Sequence, residues 1–268
     1  MHIAEVKGLR YSGFPHRDRY ILEDVSFSLE KGEYLTILGN SHSGRAELVR
    51  HLNALLKPDS GCVTVCGFDA AQAQNEKAIR EKCAMVFCGA QEHFVCRTVG
   101  EETAFALRNY GRDGNISAAL EKVGFRGHEN TALFTLERLD AVRVSTAAAI
   151  AIEPELIIFD NSLSPLGNSD KREMRKRIRK LHEEGMSVIL ASDNAEDAAD
   201  AERTIVMHEG RIIADGDRQQ VFSDKAIFDT AQLAVPFAVR AYFDLLDAEI
   251  RLDRVPLTED ELVDEICR

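Results

Sequence analysis

The chain has 268 residues, of which 45% are hydrophobic and 29% charged, a composition ordinary for a globular protein with a sizeable core. Its formal net charge of −12 argues against a nucleic-acid partner. No apolar run approaches the ~20 residues of a membrane span. The first residues lack the pattern of a signal peptide, so we expect a cytoplasmic protein. Six cysteines without C-x-x-C spacing predict reduced, mostly buried thiols rather than zinc ligands or disulfides.

The beginning of the chain predicts a small antiparallel sheet. Residues 2–10 and 21–29 alternate apolar and polar side chains, as half-buried strands do. Residues 61–67 form a further short apolar segment bounded by glycines. These three segments therefore indicate strands that cover one side of the core.

Buried strands and helices alternate along the following part of the chain. Continuous apolar runs, which are typical of parallel strands covered on both faces, occur at 34–38, 83–88, 156–160 and 187–191. Residues 204–214 predict a hairpin around a Glu-Gly turn. Helical patterns are predicted at 44–57, 98–109, 116–123, 138–151 and 168–183. This alternation indicates an α/β architecture with a largely parallel sheet.

Two parts of the chain carry helical patterns without intervening strands. The first covers 98–151 and predicts a helical subdomain, at about 90–152, inserted between core strands. The second begins after residue 222 and continues to the last residue. We therefore expect a main domain over 1–222 and a small helical C-terminal extension over 223–268.

The C-terminal extension has its own local signals. Residues 231–246 are amphipathic, which predicts one helix. Thr258 and Glu261 have the spacing of a capping box, and Leu257 and Leu262 are placed for a hydrophobic staple at the same helix start. A second helix is therefore predicted to begin near residue 258.

A near match to the P-loop motif follows the apolar run at 34–38. That motif, G-x-x-x-x-G-K followed by Ser or Thr, holds phosphate with backbone N–H groups at a helix start, a lysine and a Mg²⁺-binding hydroxyl. The corresponding residues here are Gly39, Asn40, Ser41, His42, Ser43, Gly44, Arg45 and Ala46. Both glycines are in register, but Arg45 replaces the lysine and Ala46 replaces the hydroxyl residue. The loop is predicted to keep its architecture and to have lost its metal ligand.

With these elements in place, the chain resembles the ATPases of ABC transporters, and within them the ATPases of energy-coupling factor (ECF) transporters. The segments that carry the resemblance are 22–27, 31–33, 51–56, 101–105, 147–160 and 206–210. The resemblance covers nearly all of the chain. It implies a P-loop NTPase (RecA-like) core with an antiparallel β-subdomain, an inserted helical subdomain and a C-terminal helical dimerisation extension. It also implies ATP and Mg²⁺ as ligands, bound in head-to-tail dimers.

The resemblance implies that the nucleotide-binding residues are Tyr11, the loop 39–46 and Glu47. All of them are expected to make weak or vestigial contacts. His42 stands where the family has glycine, and its Cβ crowds a ligand that needs close backbone approach. Glu47 lies in the first helical turn, where it either caps the N–H groups that a phosphate would use or is an ordinary helix-start residue. Tyr11 lies where the family stacks adenine, and an ordinary strand-end tyrosine is the alternative.

The catalytic positions implied by the resemblance are degenerate. Asp160 corresponds to the family's Mg²⁺ carboxylate and is retained as a vestigial metal residue, but Asn161 replaces the glutamate that polarises water. Asn cannot accept the proton. Cys88 replaces the Q-loop glutamine, and Gly167 replaces the D-loop aspartate. Asp193 replaces the switch histidine, and its charge would oppose the developing charge on a γ-phosphate.

The signature motif Leu-Ser-Gly-Gly-Gln is also changed. The corresponding residues are Leu136, Glu137, Arg138, Leu139 and Asp140. In the family, N–H groups at this helix start hold the γ-phosphate of ATP bound to the opposite subunit. Glu137 would oppose that phosphate, since two unit charges ~4 Å apart repel by about 4 kcal/mol at an effective dielectric of ~20. Arg138 would offset part of this repulsion, whereas Leu139 fills the space of a glycine.

Because all six motifs are altered together, we expect no functional catalytic residue, and weak or absent binding of ATP and Mg²⁺. The sequence therefore predicts a degenerate ABC/ECF-type subunit that pairs with a second ATPase subunit, an intact paralogue. A transmembrane coupling subunit is expected to dock beside 88–97. The expected location is the inner face of the cell membrane, in an importer of vitamins or metal ions. Two alternatives stay open: an active ATPase in which Arg45 replaces the lysine, and a scaffold or regulatory pseudo-ATPase outside transport.

The apolar stripe of 231–246 carries the dimer prediction. Its members are Leu233, Phe237, Val239 and Leu246. Exposed apolar area usually marks an interface, so we expect the extension 223–268 to pack against the equivalent extension of the second ATPase subunit. The alternative is that the stripe packs onto the core of its own chain.

Overall fold

The computed structural model describes residues 2–13 and 20–267, and their strands form a four-stranded and a six-stranded sheet. In chain order, the strands are β1 (His2–Tyr11), β2 (Leu22–Glu30), β3 (Tyr34–Leu38), β4 (Ser60–Val65), β5 (Phe68–Asp69), β6 (Cys83–Phe87), β7 (Leu156–Asp160), β8 (Ser187–Ser192), β9 (Arg203–His208) and β10 (Arg211–Gly216). The first sheet has the order β2-β1-β4-β5 with antiparallel neighbours. The antiparallel sheet predicted at the beginning of the chain is therefore present.

Helices cover the sheets and form the end of the chain. In chain order they are α1 (Arg45–Leu52), α2 (Glu76–Lys82), α3 (Val99–Asn109), α4 (Ile116–Lys122), α5 (Arg138–Ala151), α6 (Asn168–Glu183), α7 (Arg218–Phe222), α8 (Lys225–Ala231), α9 (Phe237–Asp247) and α10 (Glu259–Ile266). Among the described residues, no helix is long and apolar enough to cross a membrane. The mixed α/β fold predicted from the sequence is confirmed.

The six-stranded sheet has the order β10-β9-β3-β8-β7-β6 and is parallel except for β10. Every residue of β3, β7 and β8 is buried, as the continuous apolar runs predict. One hydrophobic cluster joins this sheet to the antiparallel sheet and to α1. A second cluster covers the other face with residues of the inserted helices and α6. The sheet therefore forms the centre of the molecule.

The parallel register brings the ends of three core strands to one edge. Leu38, the last residue of β3, pairs with Ser192 at the end of β8. Asp160, the last residue of β7, pairs with Ala191. Because loops that follow parallel strands leave the sheet at the same edge, the segments after these three strands become neighbours. This edge holds the P-loop-like segment and both catalytic positions.

The inserted helices begin at a well-formed cap. The Thr98 side chain accepts from Glu101 N at the start of α3, and the Glu101 carboxylate accepts from Thr98 N in return. Helices α3, α4 and α5 lie where the sequence predicts them, and α5 matches the predicted bounds. Within 98–151 the only pairing of strand type among the described residues is an isolated bridge between Thr98 and Ala132.

The C-terminal extension differs from the prediction of one helix over 231–246. Helix α8 ends at Ala231, and Gln232 takes a left-handed conformation with φ of +55°. Helix α9 begins only after Pro236, because proline has no N–H and cannot continue a helix from the preceding turn. The prediction of a single amphipathic helix was therefore wrong.

The apolar stripe of this region packs mainly onto its own chain. Leu233 and Val239 belong to a third cluster with Phe222 and Phe228, and Leu246 packs against it. Phe237 alone among the four stripe residues is more than half exposed. The alternative interpretation of the stripe is therefore correct, and the stripe gives no support to a dimer. Whether another part of the extension joins a second subunit stays a prediction.

The predicted capping box at α10 forms only in one direction. Thr258 accepts from Glu261 N, as predicted. The Glu261 carboxylate does not return this bond to Thr258; it accepts from Leu257 N at 2.8 Å and from the guanidinium of Arg218 at 2.9 and 3.0 Å. Nη1 of Arg218 donates to both carboxylate oxygens, and a hydrogen bond from a charged donor is the stronger interaction for a carboxylate. Leu257 and Leu262 are both buried, as their proposed staple requires.

All six cysteines are free thiols, as expected, but they are not mostly buried. Cys83 alone is buried, whereas Cys62, Cys88 and Cys267 are exposed. Cys62 lies in the exposed first half of β4, and Cys88 follows the last residue of β6. The expectation failed because Cys62 and Cys88 lie in or beside the exposed ends of strands and Cys267 is the C-cap of α10.

Candidate functional site

The P-loop-like segment lies beside the other two catalytic segments. Gly39 N donates to Ser192 O at 3.2 Å, which joins the loop to the end of β8. Asn161 N donates to Ala191 O at 2.9 Å, which joins the end of β7 to the same strand. The structure therefore brings together the predicted phosphate loop and the two positions of the lost catalytic pair.

The two loop glycines keep the positions that the motif requires. Gly44 precedes α1 with φ of +84°, and a Cβ there would lie 2.7 Å from Ile21 O. A Cβ on Gly39 would lie 2.3 Å from Ser43 Oγ. Neither position accepts a side chain without movement of the chain. The predicted loop architecture is therefore retained.

Several N–H groups of the loop donate to acceptors within the loop itself. His42 N donates to the side-chain oxygen of Asn40 at 2.9 Å, and Ser43 N donates to Asn40 O at 3.1 Å. Arg45 N points to Ser43 Oγ at 3.3 Å. A phosphate nest relies on such N–H groups being directed to the anion. In this conformation three of them are used by the chain.

The start of α1 has no side-chain cap. Glu47 lies in the first turn and is half-buried, yet its carboxylate does not cap the helix. The structure therefore favours the interpretation of Glu47 as an ordinary helix-start residue. Ser41 and His42 are exposed at the outer side of the loop.

Arg45 is folded back into the site. Its guanidinium donates to Gly39 O, its Nε has no partner, and only 5% of the residue is exposed. Burial lowers the pKa of Arg45, and the nearby carboxylates of Asp193 and Asp160 oppose that shift. The positive charge of Arg45, which stands where the motif has lysine, therefore lies inside the site and contacts the carbonyl of Gly39.

Asp160 has a cation of its own chain as partner. Its Oδ2 lies 3.2 Å from Nη2 of Arg50, which projects from α1. Burial raises the pKa of Asp160, while Arg50 and Arg45 act in the opposite direction. Ala46 has no oxygen for a metal, and no cluster of three metal-binding side chains occurs among residues 2–13 and 20–267. Beside a nucleotide, Mg²⁺ takes one or two protein oxygens together with water and phosphate oxygens; here the side chain at position 46 supplies none, and Asp160 is paired with Arg50.

The lost catalytic pair is replaced by a direct hydrogen bond. The Asn161 side-chain amide donates to Asp193 Oδ2 at 3.3 Å, and Asn161 has φ of +50°. The side-chain oxygen of Asn161 is buried without a partner. An amide cannot remove a proton from water. Joined in this way, the two side chains offer no positive group for phosphate chemistry, and of the two only the Asp193 carboxylate can accept a proton.

Cys88 completes this part of the site. Its thiol is exposed, and partial burial together with the nearby Asp160 raises its pKa. A thiol that stays protonated is a poor ligand for Mg²⁺, which prefers oxygen. The position of the Q-loop glutamine is therefore occupied by a group of different chemistry.

The signature segment presents a carboxylate at the start of α5. Glu137 is the residue before the helix, is exposed and makes no capping bond. Arg138 donates to Pro165 O at 3.3 Å, and Asp140 forms an ion pair with Arg143 at 2.7 Å. Leu136 is buried and Leu139 half-buried at the ends of this segment. The N–H groups at this helix start have no side-chain cap, and the predicted loss of phosphate binding there stays a prediction.

Tyr11 has a partner inside the chain. Its ring meets the ring of His51 edge-on, with 4.7 Å between ring centroids, and it packs against the first hydrophobic cluster. His51 is buried on α1, and its Nδ1 lies 2.7 Å from Glu47 O. The residues just beyond Tyr11, 14–19, lie outside the described part of the chain. The contact favours the ordinary strand-end role over adenine stacking.

Two features of the site were missed from the sequence. Arg50 was not singled out, although a basic residue two turns into a helix that starts at the P-loop can reach the end of the neighbouring strand. Asn40 was named without a role, although Asn at the start of a loop favours an Asx turn, in which its side chain accepts from the backbone N–H two residues on. Arg50 contacts the Asp160 carboxylate, and Asn40 accepts from the His42 N–H. A Mg²⁺-nucleotide bound as in the family would need both groups.

An apolar groove lies between the core and the inserted helices. It has a volume of about 380 Å³ and is bordered by the partly exposed side chains of Leu55 and Phe105. Phe87 and Glu102 also line it, and none of the described residues 88–97 does. This groove borders β6 and α3, and the docking of a membrane subunit beside 88–97 stays a prediction. Glu102 still joins it to 88–97 by accepting from Cys96 N.

Comparisons with known proteins agree with this geometry. The ABC transporter family profile matches residues 22–164. The chain is 34% identical to the energy-coupling factor transporter ATP-binding protein EcfA1 of Symbiobacterium thermophilum, over 93% of this chain and 89% of that protein. It is 30% identical to EcfA1 of Clostridium novyi, over 97% and 95%. It is also 30% identical to the cobalt import ATP-binding protein CbiO of Syntrophus aciditrophicus, over 99% and 95%.

Solved structures show the same fold. The cbiO1 protein from Clostridium perfringens, part of the ABC transporter complex cbiONQ, superposes with a TM-score of 0.76 and 22% identity over 90% of this chain and 98% of that chain. A bacterial ABC transporter cassette solved as a dimer gives a TM-score of 0.71 with 21% identity, over 80% and 98%. The chain belongs to the ABC transporter ATP-binding proteins, among which it is similar to the ATP-binding subunits of energy-coupling factor transporters.

Proposed function

We propose that this chain is a hydrolysis-incompetent ATP-binding cassette subunit that serves a transporter through its surfaces. The observation that carries the proposal is the ion pair between Asp160 and Arg50 beside a loop that lacks the Mg²⁺ hydroxyl at Ala46. The one retained metal carboxylate is thereby neutralised by the chain itself. The Asn161–Asp193 hydrogen bond supports the same conclusion for the catalytic pair.

The proposed partner is a second ATPase subunit with intact motifs. In a head-to-tail dimer this chain would supply a defective Walker site, and Glu137 would face the partner's nucleotide. A homodimer would therefore contain no competent site. Pairing with an intact paralogue leaves at least the partner's Walker motifs able to hold Mg²⁺-ATP, which makes the heterodimer the functional assembly under this proposal.

The proposed setting is an importer on the inner face of the cell membrane. The relatives named above include energy-coupling factor and cobalt import proteins, so we assign vitamins or metal ions as the class of cargo. A transmembrane subunit would place a cytoplasmic segment in the groove bordered by Leu55 and Phe105. The apolar lining of that groove, with Arg80 and Glu102 as its charged members, fits an amphipathic helix.

A second candidate function is an active ATPase with an atypical clamp. It is favoured by Arg45, whose guanidinium is buried within the site instead of pointing to solvent. Arginine offers a fork of donors to phosphate but is bulkier than lysine. This candidate requires Arg45 to leave Gly39 O, and it requires a carboxylate elsewhere in the site to orient water in place of the Asn161 amide.

An assay of phosphate release separates the two candidates. The purified chain with Mg²⁺-ATP is expected to hydrolyse no faster than a protein-free blank, because the metal hydroxyl at position 46 and the glutamate at position 161 are both absent. The matched control is Arg45→Ala, which removes the only clamp that the active candidate could use. Turnover by the wild-type chain that disappears in Arg45→Ala would establish the active ATPase and reject the proposal.

A further inference from the structure

Helix α6 carries a positive charge in a chain that is otherwise acidic. Its 16 residues, Asn168–Glu183, include seven Lys or Arg and three Asp or Glu, so the formal charge of the helix is +4. The whole chain has a net charge of −12. No charged residue of α6 takes part in the site described above, so the charge of the helix has another cause.

Four of the seven cations of α6 are covered or paired by their own chain. Lys171 is half-buried. The other three are arginines in ion pairs, which join Arg175 to Asp197 at 3.4 Å, Arg177 to Glu173 at 3.1 Å and Arg179 to Glu183 at 3.0 Å. These four residues therefore serve the fold of a single chain and need no partner.

The remaining three cations form a line on the solvent face of α6. Arg172, Lys176 and Lys180 are spaced four residues apart and are all exposed. Their side chains form no ion pair or hydrogen bond with the described residues. With a rise of ~1.5 Å per residue, the first and the last lie about 12 Å apart along the helix. We call these three residues the basic stripe. Like charges four residues apart destabilise a helix, so an external negative surface would relieve the stripe.

An acidic surface lies beside the basic stripe. Glu259 and Asp260, in the first turn of α10, are exposed and form no ion pair with the described residues. They line a cleft of about 310 Å³ whose other wall is α6, including Arg172 and Lys176. We call Glu259 and Asp260 the acidic turn. The basic stripe and the acidic turn are therefore neighbours on the surface of one chain.

The other charges at this surface are paired or lie on the acidic side. In the cleft, Asp200 lies 3.5 Å from Arg179, and Glu196 is half-buried between the two walls. Among the described residues, the cations that contact α10 are already used by its own carboxylates, in pairs that join Arg218 to Glu261 at 2.9 Å and Arg254 to Glu265 at 2.8 Å. The acidic turn is therefore not neutralised by these arginines.

Two neighbouring surfaces of opposite charge are self-complementary. If a two-fold axis passes between them, the basic stripe of one copy lies over the acidic turn of the other, and the reverse contact forms at the same time. Two copies also repel each other through their net charges of −12. At ~0.1 M salt, however, exposed charges more than ~10 Å apart are largely screened. Charges within the contact then decide whether the two surfaces attract.

We propose that a second copy of this chain binds at this surface, with the basic stripe of each copy against the acidic turn of the other. The contact contains no residue of the phosphate loop, the signature segment or the apolar groove. It requires neither an ATPase partner nor a membrane subunit, so it stands or falls independently of the proposed function. In a transporter, such a contact would join two ATPase dimers into one larger assembly.

Sedimentation equilibrium of the purified chain tests whether the dimer forms. At low salt the chain is expected to dimerise reversibly, with a Kd on the order of 100 µM. The Kd should rise at least about tenfold between ~0.1 and ~1 M NaCl, because the Debye length falls from ~10 to ~3 Å. A chain that stays monomeric at about 1 mM in low salt, or a dimer that added salt strengthens, overturns the proposal.

Charge reversal tests which surfaces meet. Lys176→Glu with Lys180→Glu reverses the stripe, and Glu259→Lys with Asp260→Lys reverses the acidic turn. Each double variant alone is expected to stay monomeric where the wild type is dimeric, because like charges then meet at both contacts. An equimolar mixture of the two is expected to dimerise, because both contacts again join opposite charges. A mixture of the two folded variants that stays monomeric overturns the proposal.

Matched variants separate lost docking from lost stability. Lys77→Glu with Arg108→Glu makes the same change of net charge at exposed residues outside α6 and α10, and is expected to dimerise like the wild type. The neutral variant Lys176→Gln with Lys180→Gln keeps good helix formers and is expected to raise the Kd with an unchanged melting temperature. Equal dimerisation of this variant and the wild type overturns the proposal. Loss of binding to phosphatidylserine vesicles in place of self-association would assign the stripe to a lipid surface and also overturns it.

Discussion

At the scale of single residues, the pairing of Arg50 with Asp160 is the feature that most affects the chemistry of the site. A buried carboxylate is costly without a counter-charge, and Asp160 is only 4% exposed. Arg50 supplies that charge from α1 at 3.2 Å. The charge of Asp160, which corresponds to the metal-binding carboxylate of the family, is therefore neutralised by an arginine side chain of the same chain.

Arg50→Ala is expected to destabilise the fold by roughly 1–3 kcal/mol at neutral pH, because it leaves a buried charged acceptor without its partner. The measurement is urea unfolding. The control is the double variant Arg50→Ala with Asp160→Asn, which removes the unpaired charge and should recover most of the loss. Equal stability of Arg50→Ala and the wild type would show that the ion pair contributes nothing.

The stability lost in Arg50→Ala should depend on pH, and the titration of Asp160 sets the direction of that dependence. Burial raises the folded-state pKa of this acid above its unfolded value of about 3.9, and removal of Arg50 raises it further. Between those values the folded state binds more protons than the unfolded state, so stability falls as pH rises. The difference between wild type and Arg50→Ala should be small below pH ~4 and reach its full size once pH exceeds the variant's folded pKa.

Nucleotide binding is expected to be weak and independent of Mg²⁺. Three loop N–H groups already have acceptors in the chain, and Ala46 offers no hydroxyl to a metal. Calorimetric titration with ATP, with Mg²⁺ or with a chelator, should give the same weak response. The variant Ala46→Ser with Arg50→Ala should gain Mg²⁺ dependence. A micromolar, Mg²⁺-dependent Kd for the wild type would contradict this expectation.

The sequence predicted the site positions but not their partners. Asp160, Asn161 and Asp193 follow buried strands, and strand ends in a parallel sheet meet at one edge, so their proximity follows from pattern alone. The bonds from Arg50 to Asp160 and from Asn161 to Asp193 depend on side-chain directions between separate elements. Those directions are set by tertiary packing, which spacing along the chain does not encode.

At the scale of elements, strand prediction succeeded where burial is complete. The limits of β7 match its apolar run, because a strand covered on both faces changes abruptly to polar residues at its ends. The region 231–246 failed because the amphipathic pattern continues across Pro236 while the backbone does not. The amphipathic pattern identified apolar residues that pack together, but it joined two separate helices into one.

The C-terminal extension also changes how its dimer role is tested. Phe222 and Phe228 pack in the third cluster with Leu38 and Val206 of the core sheet. Removal of residues after 222 would therefore expose core residues and confuse lost docking with lost stability. Surface substitutions on the extension avoid this problem.

Residues 223–268 are expected to join the second ATPase subunit through their remaining exposed apolar residues. Phe237, Val263 and Ile266 are each more than half exposed. The combined change of these three to Ser should weaken co-purification with the partner at least about tenfold in the absence of ATP. Ile213→Ser on β10 is the control. Unchanged association would show that the extension does not hold the dimer.

At the scale of the whole molecule, activity should belong to the assembly and not to this chain. Increasing the concentration of the isolated chain should produce no phosphate release, since a homodimer repeats the same losses on both sides of each site. Addition of the intact ATPase partner should produce turnover that requires the partner's own Walker lysine. Turnover that survives substitution of that lysine would place a working site on this chain.

The Arg50–Asp160 pair has a further consequence for a transporter that contains this subunit. A bound metal and nucleotide come and go with the energy supply of the cell, but an arginine of the same chain is always present. In the proposed heterodimer, the site of this chain would keep the same arrangement at high and at low ATP concentration. The site built on the partner's Walker motifs would respond to ATP. Under the proposed function, nucleotide binding would therefore change the charge and shape of the partner's site alone.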